Sequence, residues 1–323
     1  MSHKLPFLVD TDTASDDAVA LIMALRHPHI DVRAITTVAG NVPVDQAARN
    51  ALYVTELCNS DAPVYAGAAK PLTRPHEPAD WFHGKDGLSD RGYASRQRTP
   101  EKLHAVDAII QTVDANPGIV IVTIGPLTNI ALALDMCPEL ARNVSRFIIM
   151  GGNPCCEGNV SPAAEYNIWC DPEAARNIVR SELPVELVGW HLCRSSAVLT
   201  PTEIQQVLSY KNPVATFAIE CNSRAIAAFH EQTGERGLSL PDPVAMAVAI
   251  DPSLVTSHSD HFLDIETQSE LTRGMTVVDR LNVAHDQRNR QVWTHHLITQ
   301  RKARMHWTID NPRWKNLLYS LLR

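Results

Sequence analysis

Short apolar runs of β type recur along the chain, each followed by a segment with apolar residues at helical spacing. That alternation admits few folds, because parallel strands joined by crossover helices are its stable solution. Leu5 to Val9 reads as the first strand, and Ala20, Leu21, Ala24 and Leu25 then fall on one helical face between Asp16 and His27, with Pro28 as the stop. The alternation continues with Asp31 to Val38 as strand, Val44 to Leu57 as helix, Ile119 to Ile124 as strand and Leu127 to Leu134 as helix. Arg146 to Met150 (strand), Pro172 to Arg180 (helix) and Pro184 to Val188 (strand) follow. The expected fold class is α/β, an open and mostly parallel sheet flanked by helices.

Beyond Thr200 the pattern turns mainly helical, with Pro201 to Leu208, Val214 to Phe229, Pro243 to Ile250 and a closing Asn311 to Leu322, interrupted by strand-like runs at Phe262 to Ile265 and Met275 to Val278. No stretch has linker composition, so residues 1–323 are expected to form a single domain. Residues 74–99, with Pro75, Pro78, Gly84, Gly87 and Gly92, form the longest loop and a lid candidate. A net charge of −7 and a pI near 6.0 argue against nucleic acid or an anionic membrane surface as partner. Neither a signal peptide's apolar region nor a run long enough to span a bilayer is visible, and seven cysteines without a CxxC pair suit free thiols in a reducing compartment. A cytoplasmic location is expected.

Chemistry concentrates at the end of the first strand. Asp10 and Asp12 lie two apart and project to one side, while Asp16 and Asp17 open the next helix. N-capping explains one or two acids at such a turn, not four. So many close carboxylates repel each other unless a cation holds them, and an all-oxygen set suits a hard ion such as Ca²⁺ or Mg²⁺. Polar residues also follow other strands: Asn41, the run Gly125 to Asn129, and Met150-Gly151-Gly152. Asn159, Glu165 and Asn167 form a further donor and acceptor set suited to a polyhydroxylated ligand. Asp242, beside Pro241 and Pro243, reads by itself as a helix cap.

Taken in order, these elements resemble the inosine/uridine-type nucleoside hydrolases: Asp10-Thr-Asp12-Thr-Ala-Ser-Asp16-Asp17, Ile35-Thr-Thr-Val-Ala-Gly-Asn41, His83-Gly-Lys-Asp-Gly-Leu88, Gly125-Pro-Leu-Thr-Asn129, Met150-Gly-Gly152, Ala164-Glu-Tyr-Asn167 and Asp242-Pro-Val-Ala245. The resemblance implies a Rossmann-like fold and hydrolysis of the N-glycosidic bond of ribonucleosides by a calcium-bound water. It implies Asp12, Asp17 and Asp242 as carboxylate ligands of Ca²⁺, with the Ile124 carbonyl, and Asp12 as base. Asp10 would support the cluster, Asp16 and Asn41 would bind ribose hydroxyls, and Met150, Asn159, Glu165 and Asn167 the rest of the sugar. Homodimers or homotetramers are also implied.

Two departures from that pattern stand out. Many relatives carry His where this chain has Pro241, so the acid that protonates the leaving base is missing from its usual place. His230 is the first replacement candidate, against the plain reading of a surface histidine, and His83 in the lid is the second, more suited to touching substrate. Thr13-Ala14-Ser15 also replaces a Pro-Gly turn while keeping the carboxylate spacing. Cys155, Cys156, Cys170, Cys193 and Cys221 are read as small buried hydrophobes, with a reactive Cys155 or Cys156 the sharper alternative. Two rival functions are a haloacid-dehalogenase-type phosphohydrolase, weakened by Ala14, and a non-catalytic nucleoside-binding protein.

Overall fold

Burial alternates along the first strand, Leu5–Thr11 (β1): Phe7 and Val9 enter one apolar cluster and Leu8 another. The fourth strand, Ile119–Thr123, repeats this, with Val120 and Val122 on one side and Ile119 and Ile121 on the other. Period-2 alternation between two cores means that both faces of the sheet are covered, as parallel strands require. The computed structural model describes residues 4–95, 98–289, 291 and 301–323.

The strands after β1 are Ile30–Thr37 (β2), Val64–Ala66 (β3), Ile119–Thr123 (β4), Val144–Met150 (β5), Val185–Val188 (β6), Val255–His261 (β7), Leu263–Ile265 (β8), Thr276–Val278 (β9) and Ala303–Ile309 (β10). Eight of them form one sheet in the order β3-β2-β1-β4-β5-β6-β10-β7. Every pairing is parallel except β10 with β7 at the edge. β8 and β9 form a separate antiparallel pair. The chain runs outward from β1 through β2 to β3, then returns to the other side of β1 with β4. The strand order therefore reverses between β1 and β4, and a crevice opens beyond their carboxyl ends.

Helix Ser15–Arg26 follows β1 and is buried from Ser15 to Ala24, because it packs between the sheet and helices Pro241–Ile250 and Asn311–Leu322. The expected α/β class holds, and Val44–Leu57, Pro201–Leu208 and Asn311–Leu322 fall where the periodicity puts them. Other expectations change. Val214 to Phe229 is two helices, Pro213–Glu220 and Ser223–Thr233, parted at Cys221-Asn222; Asn212 caps the first by accepting from Ala215 N at 2.8 Å. β3, β7, β10 and helix Ala105–Ala115 have no counterpart in the sequence reading. The mainly helical C-terminal part thus also supplies the antiparallel edge of the main sheet.

Most of the 74–99 segment lacks regular structure apart from helix Asp80–His83, and Arg96 and Gln97 lie outside the described residues. Arg74 anchors its start through an ion pair with Glu173 at 2.9 Å. Among the described residues, no helix is long and apolar enough to cross a membrane.

Candidate active site

At the carboxyl end of β1 the chain turns straight into a helix, so Asp10, Asp12, Asp16 and Asp17 collect at the crevice where the strand order reverses. Each has a distinct set of partners. Asp10 Oδ1 accepts from Thr36 Oγ1 on β2 and from Asn129 Nδ2 at 2.9 Å, which fastens it beneath the site. Asn129 also donates to the Thr37 carbonyl and accepts from Ala68 N, so the residue ending Gly125–Asn129 ties β1, the end of β2 and the chain after β3 together. Asp17 accepts from Thr11 Oγ1 at 2.6 Å and Ala14 N at 2.9 Å.

Like Asp10, whose Oδ2 is buried without a partner, Asp12 is incompletely satisfied. Its Oδ2 accepts from Asn41 N at 2.5 Å, while its Oδ1 is buried without a hydrogen-bond partner. Two glycines make room for it: a Cβ on Gly40 would lie 2.1 Å from Asp12 Oδ2, and one on Gly125 2.7 Å from Oδ1. The Gly40-Asn41 and Gly125-Pro126 turns are therefore small for a reason that the carboxylate supplies.

Carboxylate oxygens of Asp16, Asp17 and Asp242 come within 4.8 Å of one another. Oxygens bound to one Ca²⁺ at roughly 2.3 to 2.6 Å can be at most about 5 Å apart, so the three fit around a single hard cation. Asp242 is buried in the first turn of Pro241–Ile250, which carries it to the cluster from the C-terminal part. Leu240 holds the cap position and Asp242 lies within the first turn, so the cap expected from its isolated position is not its role. Asp12 adjoins the trio, but the tightest set of oxygens includes Asp16 in its place.

Burial dominates the protonation of these groups, and their mutual charge adds to it. Asp10 is pushed up to about 7 by burial, against the hydrogen bonds from Thr36 and Asn129. Asp16 also rises to about 7, through burial and then the Asp17 charge. Asp12 and Asp242 stand well above the carboxylate range for the same two reasons, and burial raises Asp17 as well. The set cannot be fully ionised near neutral pH without a compensating cation. An unpartnered buried Asp12 oxygen, an all-oxygen donor set and this mutual repulsion together fit a bound metal ion.

Above the acids lies a cleft lined by both polar and apolar side chains. Asp16, Asn41, His83, Ile124, Met150, Asn159, Glu165, Asn167 and Asp242 all line it, nine residues singled out from sequence. Glu165 caps helix Tyr166–Cys170: Oε1 accepts from Asn167 N at 2.9 Å, Oε2 from Gly152 N at 2.8 Å and Ile168 N at 3.3 Å. Burial raises its pKa and these bonds oppose the rise. Asn167 Nδ2 donates to the Met150 carbonyl at 3.2 Å, and Asn159 Oδ1 accepts from Tyr166 N at 2.9 Å. His83 is buried, with Nδ1 2.8 Å from Ser15 Oγ and 4.0 Å from Asp16 Oδ1. Burial lowers its pKa to about 3, so the ring is neutral.

His230 is not part of this cleft. It lies on the exposed side of helix Ser223–Thr233, Nδ1 3.1 Å from the Glu235 carbonyl, and borders a separate surface depression with Pro201 and Arg236. The cysteines divide: Cys170, Cys193 and Cys221 are buried as expected, Cys156 is half-buried and Cys155 exposed. Burial pushes the Cys156 thiol up to about 11, which removes the thiolate that a reactive cysteine needs. Residues that sequence reasoning missed include Trp81, Phe82, Tyr166, Trp190, Asn222 and Gln232, all lining the cleft. Trp81 and Phe82 adjoin His83 and could have been found from that.

The sheet, the switch-point acids and the cleft thus form one carboxylate-centred site at the carboxyl ends of the strands. A model of the family described as inosine-uridine preferring nucleoside hydrolase matches residues 7–303. The chain belongs to that family. It is 38% identical over 279 residues to the pyrimidine-specific ribonucleoside hydrolase RihA of Shewanella sp. (strain MR-7), covering 85% of this chain and 86% of the relative. The RihA of Citrobacter koseri is 39% identical, with 85% and 88% covered. Among solved structures, a plant nucleoside hydrolase superposes with a TM-score of 0.91 at 31% identity, covering 98% of each chain. A purine-preferring ribonucleoside hydrolase from Gardnerella vaginalis gives 0.87 at 30%, again over 98% of each. This chain is accordingly an enzyme that hydrolyses N-glycosyl bonds of ribonucleosides, and the phosphohydrolase and non-catalytic binder readings lose their ground.

Proposed function

We propose that this hydrolase is calcium-dependent and attacks the anomeric carbon of a ribonucleoside with water. The observation that carries the reading is Asp12 Oδ1, buried and unpartnered, in a carboxylate that feels the charge of Asp17 and acts on that of Asp242. Asp12, Asp17 and Asp242, with the Ile124 carbonyl, would hold the ion, and Asp10 would brace Asp12's strand from below. Bound there, calcium would acidify a coordinated water and fix the vicinal hydroxyls of the ribose. Asp12 accepts the proton of the attacking water. Asp16 and Asn41 take ribose hydroxyls; Met150, Asn159, Glu165 and Asn167 hold the remainder of the sugar. As the base leaves, positive charge grows on the ribosyl ring, and the surrounding carboxylate and amide oxygens favour it. Direct attack by water leaves no covalent sugar intermediate.

Pro241 has no proton to give to the departing base, so nothing at that position assists the leaving group. A pyrimidine nucleoside is the proposed substrate, supported by the pyrimidine-specific relatives at 38 to 39% identity. The proposed protein is a cytoplasmic homodimer or homotetramer with a single domain, its 74–99 segment closing over bound nucleoside. Ribose release from inosine, uridine, cytidine, adenosine and guanosine, with and without a calcium chelator, tests the reading. Chelation should abolish activity and calcium should restore it, and Asp12→Asn should lower kcat on the order of 10³-fold. Absence of ribose from every nucleoside refutes the enzyme reading; activity that survives chelation refutes the metal.

A further inference from the structure

Away from the acids, the cleft wall holds a buried acceptor that no protein group satisfies. The Asn222 side chain is fully buried and lines the cleft, and its Oδ1 has no hydrogen-bond partner. Its amide cannot be turned the other way. Nδ2 donates to the Ser15 carbonyl at 3.2 Å and to the Ala218 carbonyl at 2.9 Å, and a swap would set oxygen against both. Nor is the oxygen spent on the helix. An asparagine just ahead of a helix ordinarily accepts from one of the free N–H groups of the first turn, yet Asn222 precedes Ser223–Thr233 and makes no such bond.

The neighbours place Asn222 on the cleft wall close to Asp16 and His83. Ser15, whose carbonyl holds the Asn222 amide, precedes Asp16 and has its hydroxyl on His83 Nδ1. Further along the same helix, Ala225 and Gln232 line the same wall, and Gln232 donates to the Asn159 carbonyl across it. Asn222 thus stands in a fixed framework on the cleft wall, with its nitrogen committed and its oxygen free. Buried polar groups are normally paired, so an orphan in a ligand cleft points to a partner that arrives with the ligand.

We propose that Asn222 reads the nucleobase, its Oδ1 accepting a hydrogen bond from the ring N–H of a lactam base such as uracil or hypoxanthine. The proposal rests on the reading of this cleft as the nucleoside site. An acceptor with no free donor favours a base edge that offers N–H: the ring N–H of uracil or hypoxanthine meets it directly, whereas cytosine and adenine meet it only through their exocyclic amino group. Asn222 is a specificity-determining residue and takes no part in activating water.

The test compares kcat/KM for uridine, 3-methyluridine and 4-nitrophenyl β-D-ribofuranoside in the wild-type enzyme and Asn222→Ala; inosine and 1-methylinosine replace the first two if inosine is the better substrate. The wild type should prefer uridine over its N-methyl form on the order of 10- to 100-fold. In Asn222→Ala that preference should collapse toward one, and the uridine to aryl riboside ratio should fall by a similar factor, since the aryl leaving group has no N–H to read. A wild-type preference near one, or one that Asn222→Ala leaves intact, overturns the proposal. A wild-type preference near one overturns the proposal even if Asn222→Ala fails to fold, and Asn222→Ser, which should lower the preference likewise, supplies the supporting outcome in that case. Failure of the wild type to cleave any of the substrates would instead overturn the nucleoside reading itself.

Discussion

The floor and the wall of the cleft are built on different principles. The floor comes from strand ends and first helical turns: Asp10 on β1, Asp12 just past it, Asp17 in the following helix and Asp242 in another, all buried. The wall comes from helix Asp80–His83, the loop before Tyr166, and a helix break at Asn222, with Trp81 more than half exposed. Charge chemistry needs carboxylates fixed to fractions of an ångström, and parallel strands supply that rigidity. Base recognition needs a surface that can differ between enzymes of one fold, which loops and helix ends allow. With the proposed roles, the difference predicts that water activation and base choice are separable, so a change to one should leave the signature of the other.

The strongest way to break that separation is to crowd Asp12 without altering any charge. In Gly40→Ala the new methyl would fall 2.1 Å from Asp12 Oδ2, a distance at which the carboxylate must move. Gly40 does not depend on a left-handed backbone, so the defect should lie in the position of Asp12 and not in folding. Displacement of a catalytic group by about 1 Å can lower rate on the order of 100-fold, and kcat should fall by that much for every nucleoside alike. A loss confined to one base would show that floor and wall are coupled.

Protonation gives a second handle on the floor. Asp10 and Asp16 titrate near 7 in the fold against 3.8 in an unfolded chain, so folding favours their neutral forms. With folded values raised, their contribution to stability is complete below about pH 4 and is lost as pH rises through 7. Metal-free protein should therefore melt lower at pH 8 than at pH 5.5, by about 5 °C or more. Added calcium should reverse the trend, because the ionised carboxylates bind it, and its stabilisation should grow with pH. Thermal scans at the two pH values with chelator and with calcium check this; a melting temperature of chelated protein that rises with pH would remove the repulsive cluster from the account.

The floor was legible in the sequence because its signal is local. Asp10 to Asp17 sit within one strand-to-helix turn, and their crowding alone called for a cation; Gly125–Asn129 and Met150–Gly152 announce themselves as strand-end turns. The resemblance then joined Asp242 to them across more than 200 residues, which spacing cannot do. The wall was less legible because its residues work through tertiary placement. Asn222 lies inside an apolar pattern that runs on from Val214 to Phe229, so nothing in the periodicity showed the break that frees its side chain. β7 and β10 were missed for a related reason: with His258, His261 and His306 in an antiparallel edge pair, they lack the continuous apolar run of the inner strands.

Histidine supplies the finest comparison between the two regions, and the smallest expected effects. His83 is buried against Ser15 and within 4.0 Å of Asp16, on the wall where it meets the floor. Neutral near pH 7, it can donate or accept a hydrogen bond but cannot serve as a charged acid, so His83→Ala should lower kcat/KM about 10-fold without shifting the acid limb of the pH profile. His230 faces solvent on the far side of its helix and reaches only the Glu235 carbonyl. Its removal leaves the cleft lining intact, and His230→Ala should stay within about 2-fold of wild type for every nucleoside. Should His230→Ala instead lose activity while His83→Ala keeps it, the helix carrying Asn222 must rotate when substrate binds, and the wall would be a moving part and not a fixed one. Measuring both variants on uridine and on the aryl riboside separates these cases, since only a residue that meets the base can change the ratio of the two rates.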